Sequence, residues 1–500
     1  MLGDDDSQHE EQRAPLVIEA PGVDEVGVVP WALLLRQRMR RKMAESDRYR
    51  WIVLGVALLG FLTVTFTITI LAVSIPTISE DLGTSQNALT WLITGPTLAF
   101  AVIGPLVGKL GDLRGHRPVY LIGLTGAGVF AALSALAWSG PSLIAFRVLG
   151  ATIGAATGPS SMAIINRAFR PEERAQAMGY WTMVMAGGPV LGVVVGGPVV
   201  EAFTWRWIFI AQVPLTILAV VVAYAVLPAT DKVPGVRFDL SGAIALTAAV
   251  TLALLGLNQG PTSGWDSPLV VGAFALAPLA LLLFVRIERR VPDPLIPLEY
   301  FRRRNFAFPI GVDFFLNFAY MGGFILTPLL LQEVLGYGET RAGLLSIARP
   351  LTFAVAGPIA GYLVLRVGER LSASFGAATI VASMIGLSTV GPGTSDAVVV
   401  AALALSGVGL GASVPSMSSL IANAVDIRDL GVVGASQQML AQLGAATGIQ
   451  IMQTVQAARE HAVGLAESYS QAYLVGGAVA AAGLACAVYV RSTPREPAIR

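Results

Sequence analysis

Three ionisable residues lie inside long apolar stretches of the sequence: Arg147, Asp313 and Arg349. A charge at membrane depth costs at least about 2.5–3.5 kcal/mol, so such residues usually face a cavity or a partner. Asp313 is the only carboxylate well inside any of these stretches. Because a carboxylate can bind and release a proton there, the sequence predicts a proton or cation role for Asp313. A purely structural polar contact remains the alternative.

The two arginines have more than one possible role. Each can pair with a backbone carbonyl or with an anionic group of a substrate, and each can take part in coupling to protons. Asp313 follows Arg304 by nine residues, roughly 13 Å along a helix, whereas Arg349 follows Arg341 by eight, roughly 12 Å from the opposite end. Because of these different depths, we expect no direct Asp313–Arg349 pair. Arg147 and Arg349 are each coupling candidates.

A group of glutamines lies in a later apolar stretch: Gln437, Gln438 and Gln442. Their amides can hydrogen-bond a substrate along a pathway through the molecule. Hydrogen bonds between helices are the equally open alternative.

Other kinds of site are not indicated. The sequence has no phosphate-cradling lysine loop, so ATP is not expected to drive this chain alone. None of its three histidines has metal-ligand spacing, and the single cysteine, Cys486, permits no internal disulfide. We therefore expect no metal and no cofactor.

Composition sets the class of protein. Of the 500 residues, 54% are hydrophobic and only 13% are charged, and the mean hydropathy is +0.69. Soluble domains carry about 25% charged residues. The composition excludes a soluble enzyme, a disordered scaffold and a nucleic-acid binder, and it predicts an all-α polytopic membrane protein.

Apolar stretches that end at charges or at Pro/Gly turns predict fourteen membrane spans. They cover residues 51–76, 88–108, 118–138, 142–165, 176–200, 207–227, 241–258, 267–287, 306–331, 342–365, 371–390, 397–421, 433–455 and 471–490.

Basic residues predict the orientation of these spans. With fourteen spans, Arg206, Arg341 and Arg459 are the only Lys or Arg in loops on one side. The opposite side, which holds both termini, is therefore predicted to be cytoplasmic in the cell (inner) membrane. Residues 1–50 form a polar tail, in which 26–42 can lie as an interfacial helix on anionic lipid; a purely topology-setting basic flank is the alternative.

An internal repeat divides the chain. Gly104–Leu110 closes the second predicted span, and the similar Gly357–Leu363 closes the tenth, 253 residues later. A second echo pairs Pro159 with Pro415. Parallel repeats with a site at their interface are typical of secondary transporters. The predicted domains are the tail, a six-helix bundle, two inserted helices with linkers, a second six-helix bundle and a C-terminal tail, at 1–50, 51–227, 228–305, 306–490 and 491–500.

The loop after the second predicted span, Gly108–Arg117, has a distinct pattern. Gly108 permits close approach to a neighbouring helix, and Gly115 permits a backbone turn that a side chain would hinder. Asp112 can accept from the N–H groups of a facing helix N-terminus, and Arg117 can pair with carboxylates or lipid phosphates. We expect a latch between the two halves; an ordinary basic loop is the alternative.

The fifth predicted span contains Gly188, Pro189 and Gly192, and Trp205-Arg206-Trp207 follows it. Glycines four residues apart form a stripe for close backbone packing, and the proline removes one backbone hydrogen bond.

These two segments resemble the major facilitator superfamily. The 108–117 loop resembles its signature loop, the glycine–proline run resembles its antiporter motif, and Trp-Arg-Trp resembles its fourteen-spanner drug:proton antiporter branch. The resemblance covers nearly all of residues 51–490 and implies the major facilitator fold, two six-helix bundles plus two inserted helices. Thr67 stands where that branch usually carries an aspartate, which makes Thr67 a candidate for the substrate pathway.

The resemblance implies a proton-coupled secondary exporter of drugs or other small amphipathic molecules that works by alternating access. The alternative is an exporter or facilitator of one endogenous metabolite or lipid without proton coupling. A sensor or a membrane enzyme is the remote alternative. Small-molecule substrates, protons and membrane lipids are the expected partners, no nucleic acid is expected, and the protein is expected to be a monomer.

Overall fold

The computed structural model describes residues 48–89, 91–230 and 238–492, and these residues are helical throughout, apart from their connections. The helices of the first half are α1 (Tyr49–Thr65), α2 (Thr67–Leu82), α3 (Gln86–Leu89), α4 (Trp91–Arg114), α5 (His116–Ala135), α6 (Gly140–Gly154), α7 (Thr157–Ala168), α8 (Arg174–Ala202) and α9 (Arg206–Val226). Those that follow are α10 (Leu240–Ser263), α11 (Pro268–Glu288), α12 (Arg304–Glu333), α13 (Glu339–Ser346), α14 (Ala348–Val367), α15 (Glu369–Ser388), α16 (Asp396–Asn423), α17 (Leu430–Val463) and α18 (Leu465–Tyr489). The predicted interfacial segment at 26–42 lies outside the described residues, as does most of the predicted C-terminal tail.

Each predicted span falls on one of these helices or on a consecutive pair of them. In lipid, a helix satisfies its own backbone hydrogen bonds, which is why long apolar runs adopt it. Among the described residues, eleven helical segments are long and apolar enough to cross a membrane. The chain is therefore a multi-pass membrane protein, and the full count of fourteen spans remains a prediction.

Within the described residues, the predicted spans 51–76, 142–165 and 342–365 are each broken into two helices. Pro159 lacks the N–H that would bond to the carbonyl of Ala155, and α6 and α7 separate there. Pro350 has the same effect at Ser346, where α13 ends. Between α1 and α2, the hydroxyl of Thr65 bonds back to the carbonyl of Phe61 at 3.1 Å. Such back-bonding bends helices.

Two close helix pairs join the first half of the chain to the second, and each involves one copy of the sequence repeat. Helix α4 packs on α17, and α14 packs on α8. Glycines line both contacts. A Cβ on Gly357 would lie 2.9 Å from the carbonyl oxygen of Gly179, and one on Gly361 would lie 2.7 Å from that of Ala175. We call the two contacts the α4/α17 seam and the α8/α14 seam.

Helices α10 and α11, which the sequence predicts to be an insertion, pack on each other and lie beside the α4/α17 seam. Leu246 and Val250 of α10 belong to the same apolar cluster as Ala101 of α4 and Val432 of α17. A large apolar cluster of the second half is formed mainly by α12, α14, α15, α16 and α18. The site residues project from these packed helices.

Candidate functional site

Asp112 binds the N-terminus of α17. Its Oδ1 accepts from the backbone N–H of Gly431 at 2.9 Å, and its Oδ2 accepts from that of Val432 at 2.7 Å. His116 Nε2 lies 2.9 Å from Oδ1, and the guanidinium of Arg167 lies 3.7 Å from it. Asp112 is buried and therefore needs its charge to be balanced within the protein. Two N–H groups that lack a partner in α17, the dipole of that helix and the nearby Arg167 balance it.

The loop glycines are placed where side chains do not fit. A Cβ on Gly108 would lie 2.5 Å from the carbonyl oxygen of Gly431. Gly115 has a φ of +94°, and a Cβ on it would also lie 2.8 Å from the carbonyl oxygen of Thr230. The neighbouring Lys109 lies 3.8 Å from Asp429, just before α17.

Arg117 does not join this group. Its guanidinium donates to the carbonyl oxygen of Tyr224 at 2.7 Å and lies over the ring of the same residue, 5.1 Å from its centroid. Arg117 therefore ties the start of α5 to the end of α9, inside the first half of the chain.

Sequence reasoning missed Arg174, which links the two halves at the start of α8. Its Nε donates to the carbonyl oxygen of Asn166 at 2.9 Å, near the end of α7. Its Nη1 donates to the carbonyl oxygen of Ala422 at 3.1 Å and to Asn423 Oδ1 at 2.7 Å, at the end of α16. The buried cation thus neutralises the C-termini of two helices from opposite halves.

The α8/α14 seam also has a pair of tyrosines. The hydroxyls of Tyr180 and Tyr362 are 2.9 Å apart, and the rings meet edge to face. No local sequence signal separates these tyrosines or Arg174 from other residues of their type.

Asp313 is buried in α12 and has one side-chain partner among the described residues. Gln437 Nε2 donates to Asp313 Oδ2 at 2.5 Å and also lies 2.9 Å from Ser418 Oγ. Oδ1 of Asp313 is buried without a hydrogen bond. No charged side chain of the described part of the chain interacts with this carboxylate.

Arg147 lies at a small cavity in the first half of the chain. Its Nη1 lies 3.4 Å from Thr67 Oγ1, its guanidinium lies 5.7 Å from the ring of Phe209, and its Nε is buried without a partner. The cavity holds about 20 Å³, room for roughly one water molecule. Its lining includes Gln212, whose Oε1 is likewise unpartnered. The structure thus brings Arg147 and Thr67 together.

Arg349 is fully buried in the second half. Its Nη1 donates to the carbonyl oxygen of Tyr320 at 3.1 Å, and its Nη2 lies 3.4 Å from Thr327 Oγ1. The Thr327 hydroxyl lies 3.0 Å from that of Tyr473. Among the described residues no carboxylate neutralises Arg349, and it does not pair with Asp313.

The remaining candidates are dispersed. Gln438 Nε2 lies 2.9 Å from Met162 Sδ, across the two halves, and Gln442 is half-buried without a side-chain hydrogen bond in the described part of the chain. A Cβ on Gly188 would lie 2.6 Å from Thr65 Oγ1. Pro189 and Gly192 lie within α8, and their surroundings are outside the described part of the structure. A group of three or more metal-ligating side chains is not found among the described residues.

Comparison with known proteins decides the family. The family model described as Major Facilitator Superfamily matches residues 57–449, which is most of the chain. The chain belongs to the major facilitator superfamily. The resemblance of the 108–117 loop is therefore confirmed at the level of the superfamily, while membership of the fourteen-spanner branch remains a prediction.

Several relatives within the superfamily are named for drug export. The chain is 29% identical to the multidrug transporter protein MdtP of Bacillus subtilis, over 78% of this chain and 72% of that protein. It is also 29% identical to the tetracenomycin C resistance and export protein of Streptomyces glaucescens, over 82% of this chain and 76% of that protein.

A solved structure agrees on the fold. The human organic anion transporter MFSD10 (TETRAN) aligns with a TM-score of 0.61 at 18% identity, over 86% of this chain and 99% of that one. Family and fold together point to an all-helical major facilitator transporter rather than an enzyme.

Proposed function

We propose that this major facilitator protein is a proton-coupled exporter of drugs or other small amphipathic molecules, working by alternating access. Export is supported by relatives that are named for multidrug transport and for tetracenomycin C resistance and export. The observation that carries the proton coupling is the environment of Asp313.

Asp313 has the features of a proton-binding group. It is buried, one of its oxygens has no hydrogen bond, and its one described partner is the uncharged Gln437. A structural ion pair would instead hold a buried carboxylate ionised by an adjacent cation. With no cation beside it among the described residues, the ionised and protonated forms of Asp313 are closer in free energy, so the group can load and release a proton.

The two seams support alternating access. Both join the first half of the chain to the second, and both are closed by backbone contacts at glycines. Asp112 and Arg174 neutralise helix ends across the same boundary. In this proposal these contacts break when the substrate pathway opens on their side and re-form when it opens on the other.

The proposal extends to architecture and location. Two six-helix bundles, at 51–227 and 306–490, move about a central pathway, and residues 228–305 supply two inserted helices of the fourteen-spanner branch. The protein acts as a monomer in the cell membrane with both termini in the cytoplasm. The end that carries Asp112 then faces the cytoplasm.

A second candidate function has its own observation. Arg147 has a threonine, Thr67, as its polar partner and an unpartnered Nε at a cavity. A cation without a counter-ion in the described part of the chain favours an exporter or facilitator that recognises one anionic metabolite, without proton coupling.

Reconstitution into proteoliposomes with an imposed pH gradient tests the first function against the second. Wild-type protein should accumulate a fluorescent amphipathic dye against its gradient, and Asp313→Asn should catalyse only downhill exchange. Glu333→Gln, at the end of α12, is the matched control. Concentrative, proton-driven transport that is undiminished in Asp313→Asn would rule out the coupling role of Asp313.

A further inference from the structure

The amide of Gln437 lies between two groups that constrain its orientation. Its Nε2 donates to Asp313 Oδ2 and lies 2.9 Å from Ser418 Oγ, while its Oε1 is buried without a partner. This orientation suits an ionised Asp313, because a carboxylate can only accept hydrogen bonds.

A protonated Asp313 requires a different arrangement. Its new O–H is a donor and needs an acceptor, since leaving a buried donor unpaired costs about 1–3 kcal/mol. The unpartnered Oε1 belongs to the same amide that already contacts Asp313. Rotation of that amide by half a turn about its last torsion angle brings Oε1 to Asp313 and removes Nε2 from it.

Gln437 also lies on α17, the helix whose N-terminus is bound by the first half of the chain. Six residues earlier, about 9 Å along the helix axis, the N–H of Gly431 donates to Asp112 of α4. The next residue, Gln438, contacts Met162 of α7. The first two turns of α17 are thus attached to Asp313 on one side and to the first half of the chain on the other.

We propose that Gln437 is the positioning residue that transmits proton binding at Asp313 to the α4/α17 seam. When Asp313 takes up a proton, the Gln437 amide turns over, its contact with Ser418 is exchanged, and α17 shifts relative to Asp112. Release of the proton restores the arrangement that holds the seam closed. This inference rests on the proposed proton role of Asp313 and adds to it the route by which the proton changes the conformation.

Other titratable groups near this route belong to the seam. Asp112 has His116 and Arg167 close by, and Lys109 faces Asp429. Asp313 has no charged neighbour among the described residues. A pH response of the seam that arises from His116 would therefore persist when Gln437 is changed, whereas a response that arises from Asp313 would not.

The test is the distance across the seam as a function of pH. Arg114, at the end of α4, and Arg428, just before α17, are exposed and can be replaced by cysteine for spin labelling in a Cys486→Ser background. When the pH is lowered from 8 to 5, the distance between the two labels should shift from a short to a longer distribution in the protein with Asp313 and Gln437 intact. Gln437→Met keeps the length of the side chain and removes the carbonyl and NH₂ groups of its amide, so it should abolish that shift. Gln453→Met on the same helix is the control and should retain the shift.

A second experiment keeps Gln437 and replaces Asp313. Asp313→Asn presents a permanent donor, so the seam should show its low-pH distance at every pH. Seam distances that follow pH normally in Gln437→Met, or in Asp313→Asn, would overturn the proposal. The proposed function fails separately: if proton-driven transport survives in Asp313→Asn, the acid is not the coupling group, whatever the seam does.

Discussion

Gly108 and Gly431 face each other across the α4/α17 seam so closely that a Cβ on Gly108 would lie 2.5 Å from the carbonyl oxygen of Gly431. The α8/α14 seam has the equivalent contact at Gly361, the repeat counterpart of Gly108, where a Cβ would lie 2.7 Å from the carbonyl oxygen of Ala175. Both seams therefore depend on direct backbone contact, and side chains at these positions would act as wedges. The sequence repeat at Gly108 and Gly361 thus reflects a repeated packing requirement.

Gly108→Ala should open the α4/α17 seam and reduce transport. Overfilling a packed contact costs about 1–3 kcal/mol, which corresponds to a population shift of roughly 5- to 150-fold. Cysteine cross-linking between Arg114 and Arg428, both replaced by cysteine, should lose yield, while membrane insertion is unchanged. Gly104→Ala is the matched control, because a Cβ on Gly104 meets its nearest atom only at 4.0 Å. Equal cross-linking in the two variants would contradict the wedge argument.

Asp112→Asn should leave expression intact and remove most transport. The asparagine has one acceptor instead of two, so its NH₂ group would meet one of the N–H groups of Gly431 and Val432. Loss of a hydrogen bond to a charged group costs about 1.5–3 kcal/mol. This cost destabilises only the state in which the α4/α17 seam is closed. Transport rate in proteoliposomes checks this, with the exposed Asp266→Asn as control. Normal turnover in a well-folded Asp112→Asn protein would remove the latch role.

Part of this arrangement could be predicted from sequence. Asp112 lies in a local pattern of glycines and charges, and Asp313 is a carboxylate within an apolar run, so the sequence alone identifies both residues. Their partners were not, because a contact between distant helices depends on how each helix is rotated. Gln437 and Gln438 are adjacent in sequence, yet they face different halves of the chain. Arg174 had no local signal, since it follows a polar loop in which arginine is ordinary.

Arg174→Met should destabilise the protein and loosen the contact between α8 and α16. The change leaves two carbonyl oxygens and Asn423 Oδ1 without their donor, at a cost of about 1.5–3 kcal/mol. The unfolding temperature of the purified protein should fall, and Arg174→Lys should recover part of the loss. Arg170→Met, four residues earlier and exposed, should have no effect. An unchanged unfolding temperature in Arg174→Met would show that this cation does not stabilise the boundary.

Arg349→Met should impair transport without lowering stability. Among the described residues this buried cation is hydrogen-bonded only to a carbonyl and a hydroxyl, which leaves its desolvation uncompensated by a counter-charge, and replacing buried ionic groups by apolar side chains of similar volume is often neutral or stabilising. If Arg349 served packing alone, the methionine variant would keep both stability and transport. We expect the unfolding temperature to stay or rise while transport falls at least tenfold, with Arg349→Lys retaining part of it because the charge is kept. Full transport in Arg349→Met would reduce Arg349 to a packing residue and leave Asp313 as the coupling candidate of the second half.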